Sequence, residues 1–584
     1  MPGNLKYFLS SPVSRHPFLL GRKIAARLGF KSAAKPRAAP ALPRILSSFV
    51  PVWSSWVEKL HIANPPPSPE KVFGQNRDRQ LLLHCCRHGM PDVNGLEGDI
   101  KLVWEYSRAN FLPLHAAFSE KTEDEKAAEL AGWISTWIEN NPPDQSVTWT
   151  CAMEVAIRAV NWLAADALLG GNISARIGWQ HWADQLWNHG QSIWNRLEAQ
   201  SICSNHYLAN LLGLAWIGSV FQDTPRGRKW LDFSILEWPR ALRTQTRPDG
   251  GAYEASLPYH ELYVELALLS LVAMPESKTV ELRAMIARMA NVIAALKRSD
   301  GGMWPVGDDD SGRVIAMDEV TREKRAEVLL ALAKTLDIHP TPKSRLFPDS
   351  GWWRSDSGDF DVLATFGGAG FHGWGGHAHN DLLAICVDHE GQPVLVDRGT
   401  WLYTSNLEGR RSFRSTSSHN TIMIDQCEQR IFPPLKKETA FLLPGSDNAA
   451  NVKHASDNMV IIESVLAAQG EEVFAQRSVS ISPGNVIIQD ELRGRDTHDV
   501  QWFFHLAKGL NATTTECGWK ITDDQNRHYM LTANIPVTCL IKSSTISPAY
   551  GQLIPSHVLI AQMNRTLPVR ITWTLQITAN PADA

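Results

Sequence analysis

The sequence predicts a helical domain followed by an antiparallel β-sandwich, and three observations carry that reading. The chain has 584 residues, more than one hydrophobic core usually holds together. Up to about residue 340 its apolar residues recur at spacings of three and four, the period of helices with one buried face. Beyond the segment HPTPKSRLFPDSG the pattern changes to short β-branched runs separated by turn residues, the grammar of antiparallel strands. The boundaries fall at 58–344 for the helical domain and 345–584 for the sandwich, with a basic extension over 1–57.

The extension holds nine Lys or Arg and no Asp or Glu between Met1 and Val57. It reads as a solvated arm, with contact to an anionic membrane surface as the functional alternative. Its apolar runs, FLSSPV and PFLLG, are too short for an ordinary signal peptide. No other segment reaches the ~20 apolar residues that span a bilayer. With no export signal or spanning helix the expected location is the cytoplasm by default.

In the helical domain MEVAIRAVNWLAADALL, HYLANLLGLAWIGSVF, YHELYVELALLSLVAM and VELRAMIARMANVIAALKR each carry the helical period. Breaks such as ENNPPDQS and TRPDGGAYEASLP separate them. Tryptophans 104, 133, 137, 149 and 162 mostly fit the apolar stripes and are expected in the core. In the sandwich DFDVLATF, LLAICVDH, NMVIIESVLAA, RSVSISPGNVIIQDEL and VRITWTLQI are strands. Net charge is −4, which gives no global reason to expect nucleic acid. The eight cysteines lack a CxxC spacing, so neither a cysteine zinc site nor a disulfide scaffold is indicated.

Four segments concentrate polar residues. Asn205 and His206 open an otherwise apolar helix; a helix cap is the plain reading of Asn205 alone. Arg247 to Glu254 is a glycine-containing loop leading to Tyr259, which begins the next helix. In the run Gly373 to Asp381, His377 and His379 alternate; on a strand both imidazoles share one face. Finally, Asp397 ends an apolar strand and His419 follows in FRSTSSHNTIMID. A carboxylate at a strand end is costly without a partner. His379, Asp397 and His419 offer two nitrogens and one oxygen, a set that suits zinc better than calcium or magnesium.

With these segments in order, the sequence resembles the heparinase II/III family of polysaccharide lyases. The likeness rests on GDIKLVWEYSRANFLPL, SNHYLAN, RPDGGAYEASLPYH, WPVGDDDSGR, GWGGHAHNDLLAICV, QPVLVDRGTWLY and FRSTSSHNTIMID. The resemblance implies an incomplete α/α toroid followed by an antiparallel β-sandwich. It implies β-elimination at a uronate, giving unsaturated uronate ends. Tyr259, His377, Asn205 and His206 match catalytic positions, and Glu254, a candidate to bind substrate, matches an acidic residue of the loop before the tyrosine. His379, Asp397 and His419 match the ligands of zinc-containing members, with calcium the other candidate ion. The implied partner is an acidic polysaccharide or oligosaccharide, and the implied location the periplasm or cell envelope.

Arg398 and Arg414 are candidates to bind substrate carboxylates or sulfates, with ordinary surface charge as the plain alternative. Two other functions stay open at this stage. A glycoside hydrolase needs two carboxyl groups across a sugar, and Asp308, Asp309, Asp310 and Glu254 are available, although GDDDSGR reads as a rim loop. A glycan-binding protein without activity is the other.

Overall fold

The computed structural model describes residues 100–199, 203–315, 324–447, 450–523 and 527–578; the basic extension and its expected membrane contact lie outside them. The chain divides into two compact units. Unit 1 comprises residues up to Gln245, Glu261–Ala290 and Gly312–His339, and unit 2 comprises Thr246–His260, Asn291–Ser311 and Pro340–Ala584. Two segments that the sequence assigns to the helical domain, 246–260 and 291–311, thus cluster with the sheets.

Unit 1 is helical. Its helices include α1 (Ile100–Ser107), α2 (Leu112–Phe118), α3 (Glu123–Asn140), α4 (Ala152–Leu168), α5 (Asn172–Ile177), α6 (Trp179–Asn195), α7 (Asn205–Val220), α8 (Pro225–Gln245) and α11 (Arg325–Thr335). α9 (Leu257–Val272) and α10 (Val280–Leu296) each straddle the division between the units. α3 starts where it does because Thr122 and Glu125 form a capping box, each side chain accepting from the other residue's backbone N–H.

α4 and α7 are apolar nearly all round, as helices surrounded by protein must be. In α7 every side chain except His206 is buried. Between α3, α4 and α6 the Arg158 guanidinium lies 4.2 Å from the Trp137 ring and 4.8 Å from that of Trp149. It also donates to His189 Nε2 at 2.9 Å. Trp137, Trp149 and Trp162 are buried here, so these three are core residues, as the sequence suggests.

Unit 2 holds three antiparallel sheets. The first runs in chain order through β1 (Leu346–Phe347), β2 (Trp352–Ser355), β3 (Phe360–Thr365), β4 (Ile385–His389) and β5 (Gln392–Leu395). The four-stranded sheet has the order β15 (Thr538–Ile546), β16 (Ile554–Thr566), β11 (Thr497–His505), β6 (Ile422–Ile424). The eight-stranded sheet begins with β12 (Asn511–Thr515), β13 (Gly518–Thr522), β14 (His528–Ala533) and β17 (Val569–Thr578). It continues through β10 (Asn485–Arg493), β9 (Glu472–Ser482), β8 (Met459–Ala467) and β7 (Ala450–Ala455).

β10 alternates buried and half-buried residues, as a strand with one face on a core should. β3 and β4 are buried along their whole length. The reason is that their sheet has cover on both faces. Phe360, Val362 and Ala364 join the core shared with the other sheets. Leu363 and Cys386 instead pack with Leu257, Val292, Leu296 and Trp304, which explains why the two inserted segments belong to unit 2.

One ion pair stitches this core. Arg477 on β9 sits opposite Asp490 on β10, and both are essentially inaccessible. The guanidinium donates to both Asp490 oxygens at 2.6 and 2.8 Å, and to the Leu383 and Asn420 carbonyls. Trp502 Nε1 also donates to Asp490. Removing one partner of such a pair strands a buried charge. Asp490→Ala should therefore lower the unfolding free energy by about 3–5 kcal/mol, read as a fall in the denaturant midpoint; an unchanged midpoint would refute this role.

Candidate active site

The site is assembled around Asp308, whose side chain is fully buried. Gly307 adopts φ +74°, and a β-carbon there would lie 2.7 Å from the Ala255 carbonyl oxygen. A residue with a side chain would thus push the loop away. The Asp308 backbone is fixed too, its N–H donating to the His377 carbonyl and its carbonyl accepting from Ser256 Oγ.

Four donors converge on the carboxylate. Oδ1 accepts from His379 Nε2 at 2.9 Å and from Arg410 at 3.1 Å; Oδ2 accepts from His377 Nδ1 and Arg410, both at 2.8 Å. Burial would raise the carboxyl pKa, but Arg410 and the two imidazoles outweigh it and hold the group well below the usual carboxylate range. A charged Asp308 accepts hydrogen bonds only. It therefore fixes both tautomers, with the proton on Nδ1 of His377 and on Nε2 of His379.

The two histidines lie in the loop between β3 and β4, not on a strand, which corrects the period-two argument for their pairing. Their common direction comes from the shared acid. Gly375 is at φ +66°, and a β-carbon there would meet the Leu443 carbonyl oxygen at 2.1 Å. Helix α12 (Leu407–Arg414) holds the loop from the other side. Its N-terminus is capped by Asn406, which accepts from Gly409 N at 2.8 Å.

Arg410 and Arg414, one turn apart on α12, are both buried. Arg414 donates to the carbonyls of Gly375, Ala378 and Ala440. Arg398 is likewise committed, to the Thr545 carbonyl and Ser418 Oγ, with its guanidinium 4.1 Å from the Phe413 ring. The expectation that Arg398 and Arg414 bind substrate is corrected accordingly: Arg414 clamps the histidine loop and Arg398 ties the segment after β5. Glu254 is corrected as well. It is fully buried, with its carboxylate 3.6 Å from His377 Nε2, so it stands beside the imidazole and presents no surface to a sugar.

Tyr259, in the first turn of α9, stacks on His377 with ring centroids 3.8 Å apart and planes 22° off parallel. Its hydroxyl lies 3.0 Å from that of Tyr403, whose ring is 4.4 Å from the Arg410 guanidinium. Burial, reinforced by the Asp310 and Asp308 carboxylates, raises the Tyr259 pKa well above its ordinary value. The phenol is therefore protonated at neutral pH, which suits an acid and not a resting tyrosinate base.

His379, Asp397 and His419 are all buried and bring one donor atom each within 4.8 Å of one another. His419 Nδ1 lies 2.6 Å from Asp397 Oδ2. His379 Nδ1 and His419 Nε2 are buried with no hydrogen-bond partner. Orphaned polar atoms of this kind need an explanation, and a metal ion accepted by both nitrogens supplies one. The N,N,O donor set fits zinc; calcium takes six to eight oxygens.

Asn205 and His206 belong to unit 1. The cap of α7 is Ser204, which accepts from the His206 N–H at 3.3 Å, so Asn205 is not the cap. Asn205 is buried, and His206 bonds Glu198 Oε1 through Nδ1 at 2.9 Å. The sequence reading missed Tyr403, the bidentate role of Arg410 and, above all, Asp308. GDDDSGR, read as a rim loop, contains a fully buried acid; its glycine before three aspartates is the signal that pointed there.

The family model described as heparinase II/III N-terminus matches residues 93–290, and that described as heparinase II/III-like, C-terminal, matches 339–574. The chain belongs to the heparinase II/III-like family. No curated protein matches the sequence. Among solved structures, heparinase III aligns with TM-score 0.62 at 15% identity, covering 100% of this chain and 92% of that one. A second heparinase III gene product aligns with TM-score 0.60 at 16% identity, covering 99% and 94%. The heparan sulfate lyase HepC from Pedobacter heparinus aligns with TM-score 0.54 at 16% identity, covering 98% and 92%. These likenesses establish the fold: helices first, then antiparallel sheets, as the sequence predicts.

Asp308→Asn removes the acceptor that dictates both tautomers. Nitrogen NMR of the imidazoles should show the Nδ1–H form of His377 in the wild type and a mixture in the variant. Stability should fall by about 3–5 kcal/mol, because the buried Arg410 loses its counter-charge. A wild-type spectrum dominated by the Nε2–H form would contradict the arrangement.

Proposed function

We propose that the protein is a polysaccharide lyase that cleaves the 1,4-glycosidic bond of an acidic, uronate-containing glycan by β-elimination. The observation that carries this reading is the stacked pair of Tyr259 and His377, a protonated phenol against an imidazole whose Nδ1 is tied to a buried carboxylate. The names of similar structures, a heparinase III and a heparan sulfate lyase, favour a glycosaminoglycan-like substrate.

The C5 hydrogen of a uronate lies next to a carboxylate and becomes acidic only when that charge is neutralised. His377, oriented by the bond from Nδ1 to Asp308, removes it through Nε2. The electron pair forms the C4–C5 double bond, the C4–O4 bond breaks, and O4 takes the phenolic proton of Tyr259. The Tyr403 hydroxyl then donates to the developing phenolate. The family resemblance matches Asn205 and His206 to positions that bind the substrate carboxylate or assist proton transfer. A hydrolase would need two carboxyl groups across the sugar; Asp308 is saturated by four donors and Glu254 is buried against His377, which leaves the half-buried Asp309 and Asp310 as the pair that reading would have to use.

We also assign His379, Asp397 and His419 to a zinc ion. Bound there, it would hold the loop that carries His377 and contribute positive charge. In metal analysis of zinc-loaded protein, His379→Ala should lose one equivalent relative to wild type. Equal zinc in both would remove the assignment.

The function is tested by ultraviolet absorbance during incubation with a panel of uronate polysaccharides. A rise from unsaturated uronate is expected on one substrate class, with Tyr259→Phe slower by about 10²–10⁴-fold and equally stable. Reducing ends without the chromophore would make the protein a hydrolase. Because the Tyr259 pKa is raised, its acid form persists as pH increases, so its ionisation should not reduce the rate below about pH 10. A loss in the wild type between neutral pH and about pH 9 that disappears in Tyr259→Phe would contradict that.

A further inference from the structure

Unit 1 contains a second group of metal-ligating side chains, away from the histidines of unit 2 in sequence and different in chemistry. Cys151, Glu198 and His206 bring one donor atom each within 4.8 Å of one another. Cys151 Sγ lies 3.5 Å from Glu198 Oε1 and 3.7 Å from His206 Nδ1, and His206 Nδ1 lies 2.9 Å from the same Glu198 oxygen. Three donor atoms thus form a closed triangle.

The size of the triangle is informative. A tetrahedral zinc ion binds sulfur at ~2.3 Å and nitrogen or oxygen at ~2.0–2.1 Å. Its ligand atoms then stand about 3.5 Å apart where sulfur is involved and about 3.3 Å apart between nitrogen and oxygen. The two sulfur edges already have that length. The third, a hydrogen bond, needs to open by only a few tenths of an ångström.

The supports are those of a built site. Glu198 Oε2 is held by the Met153 N–H at 2.9 Å and by Asn210 Nδ2 at 3.0 Å, which turns Oε1 towards the sulfur and the imidazole. Cys151 is the residue before α4, at a position where Ser, Thr, Asp or Asn usually caps the helix. Its side chain makes no capping bond. His206 is the one side chain of α7 that is not buried, so the triangle has an approach from solvent.

We propose that Cys151, Glu198 and His206 form a thiolate-containing site for a borderline-soft divalent cation, zinc in the first instance. Binding exchanges the thiol proton and any proton on His206 Nδ1 for metal bonds, and those protons leave to solvent. The site is independent of the ion assigned to His379, Asp397 and His419, which has no sulfur ligand, and it engages His206 through Nδ1 alone, leaving Nε2 for the role that the family resemblance gives this residue.

That difference makes the test selective. Full-length protein stripped by a chelator is titrated with cobalt(II), and the near-ultraviolet thiolate-to-cobalt absorption is recorded. The band is expected in the wild type, and in His379→Ala, which lacks the other site, it should saturate at one equivalent. It should vanish in Cys151→Ser, and in His206→Gln the cobalt affinity should weaken at least about tenfold, since even outer-sphere changes cost that much. Cys203→Ser, a control for the neighbouring thiol, should retain it. If Cys151→Ser does not fold, His206→Gln decides by the same affinity readout. No band in the wild type, a band that survives Cys151→Ser, or unchanged affinity in His206→Gln overturns the proposal. Failure of the lyase reading would leave the cobalt band unaffected.

Discussion

The chemistry of unit 2 depends on one buried negative charge. Asp308 has no exposed surface, and a lone carboxylate in that position would be strongly disfavoured. It is tolerated because a bidentate arginine and two imidazoles saturate both oxygens. The cost of burial is thereby converted into orientation. Each donor has one place to point, so His377 and His379 are fixed in rotation and in tautomer by the same group. Loosening Asp308 would release the proposed base and one nitrogen of the proposed metal site together.

The surroundings of Asp308 explain why glycines and arginines crowd this part of the sequence. The loop bearing His377 and His379 has no strand ladder, so its carbonyls need other donors. Arg414 and Arg410 supply them from α12, reaching the carbonyls of Gly375, Gly376 and Ala378. Arg414, a candidate substrate ligand from the sequence, is thus committed to the protein's own carbonyls.

The general architecture was legible because periodicity reports burial directly. α10, with Leu282, Met285, Ile286, Met289 and Ile293 buried, and β10 show their helical and alternating patterns in the sequence and in the structure alike. The inserted segments 246–260 and 291–311 were not legible as parts of the sheet unit. They lie between helical runs in the chain, and only the tertiary contact of Leu257, Val292 and Trp304 with the first sheet reveals their allegiance. Among site residues, Tyr259 and the histidines stood out as polar groups without structural excuse. Asp308 did not, because an aspartate among aspartates looks solvated until a loop folds it inward.

Across both units the partner of an imidazole decides what it can do. His189 receives the Arg158 N–H on Nε2 and donates from Nδ1 to the Gln185 carbonyl. Both nitrogens are occupied, and burial with the adjacent guanidinium pushes its pKa well below the ordinary value; it is a neutral core residue. His377, His379 and His419 each have one nitrogen engaged by a carboxylate. An acid at one nitrogen orients the ring and makes the other more basic. The nitrogen left over lies 3.6 Å from the Glu254 carboxylate in the first case and is left unpaired in the interior in the other two. A histidine's presence in a motif therefore says less about its role than the charge of the residue behind it.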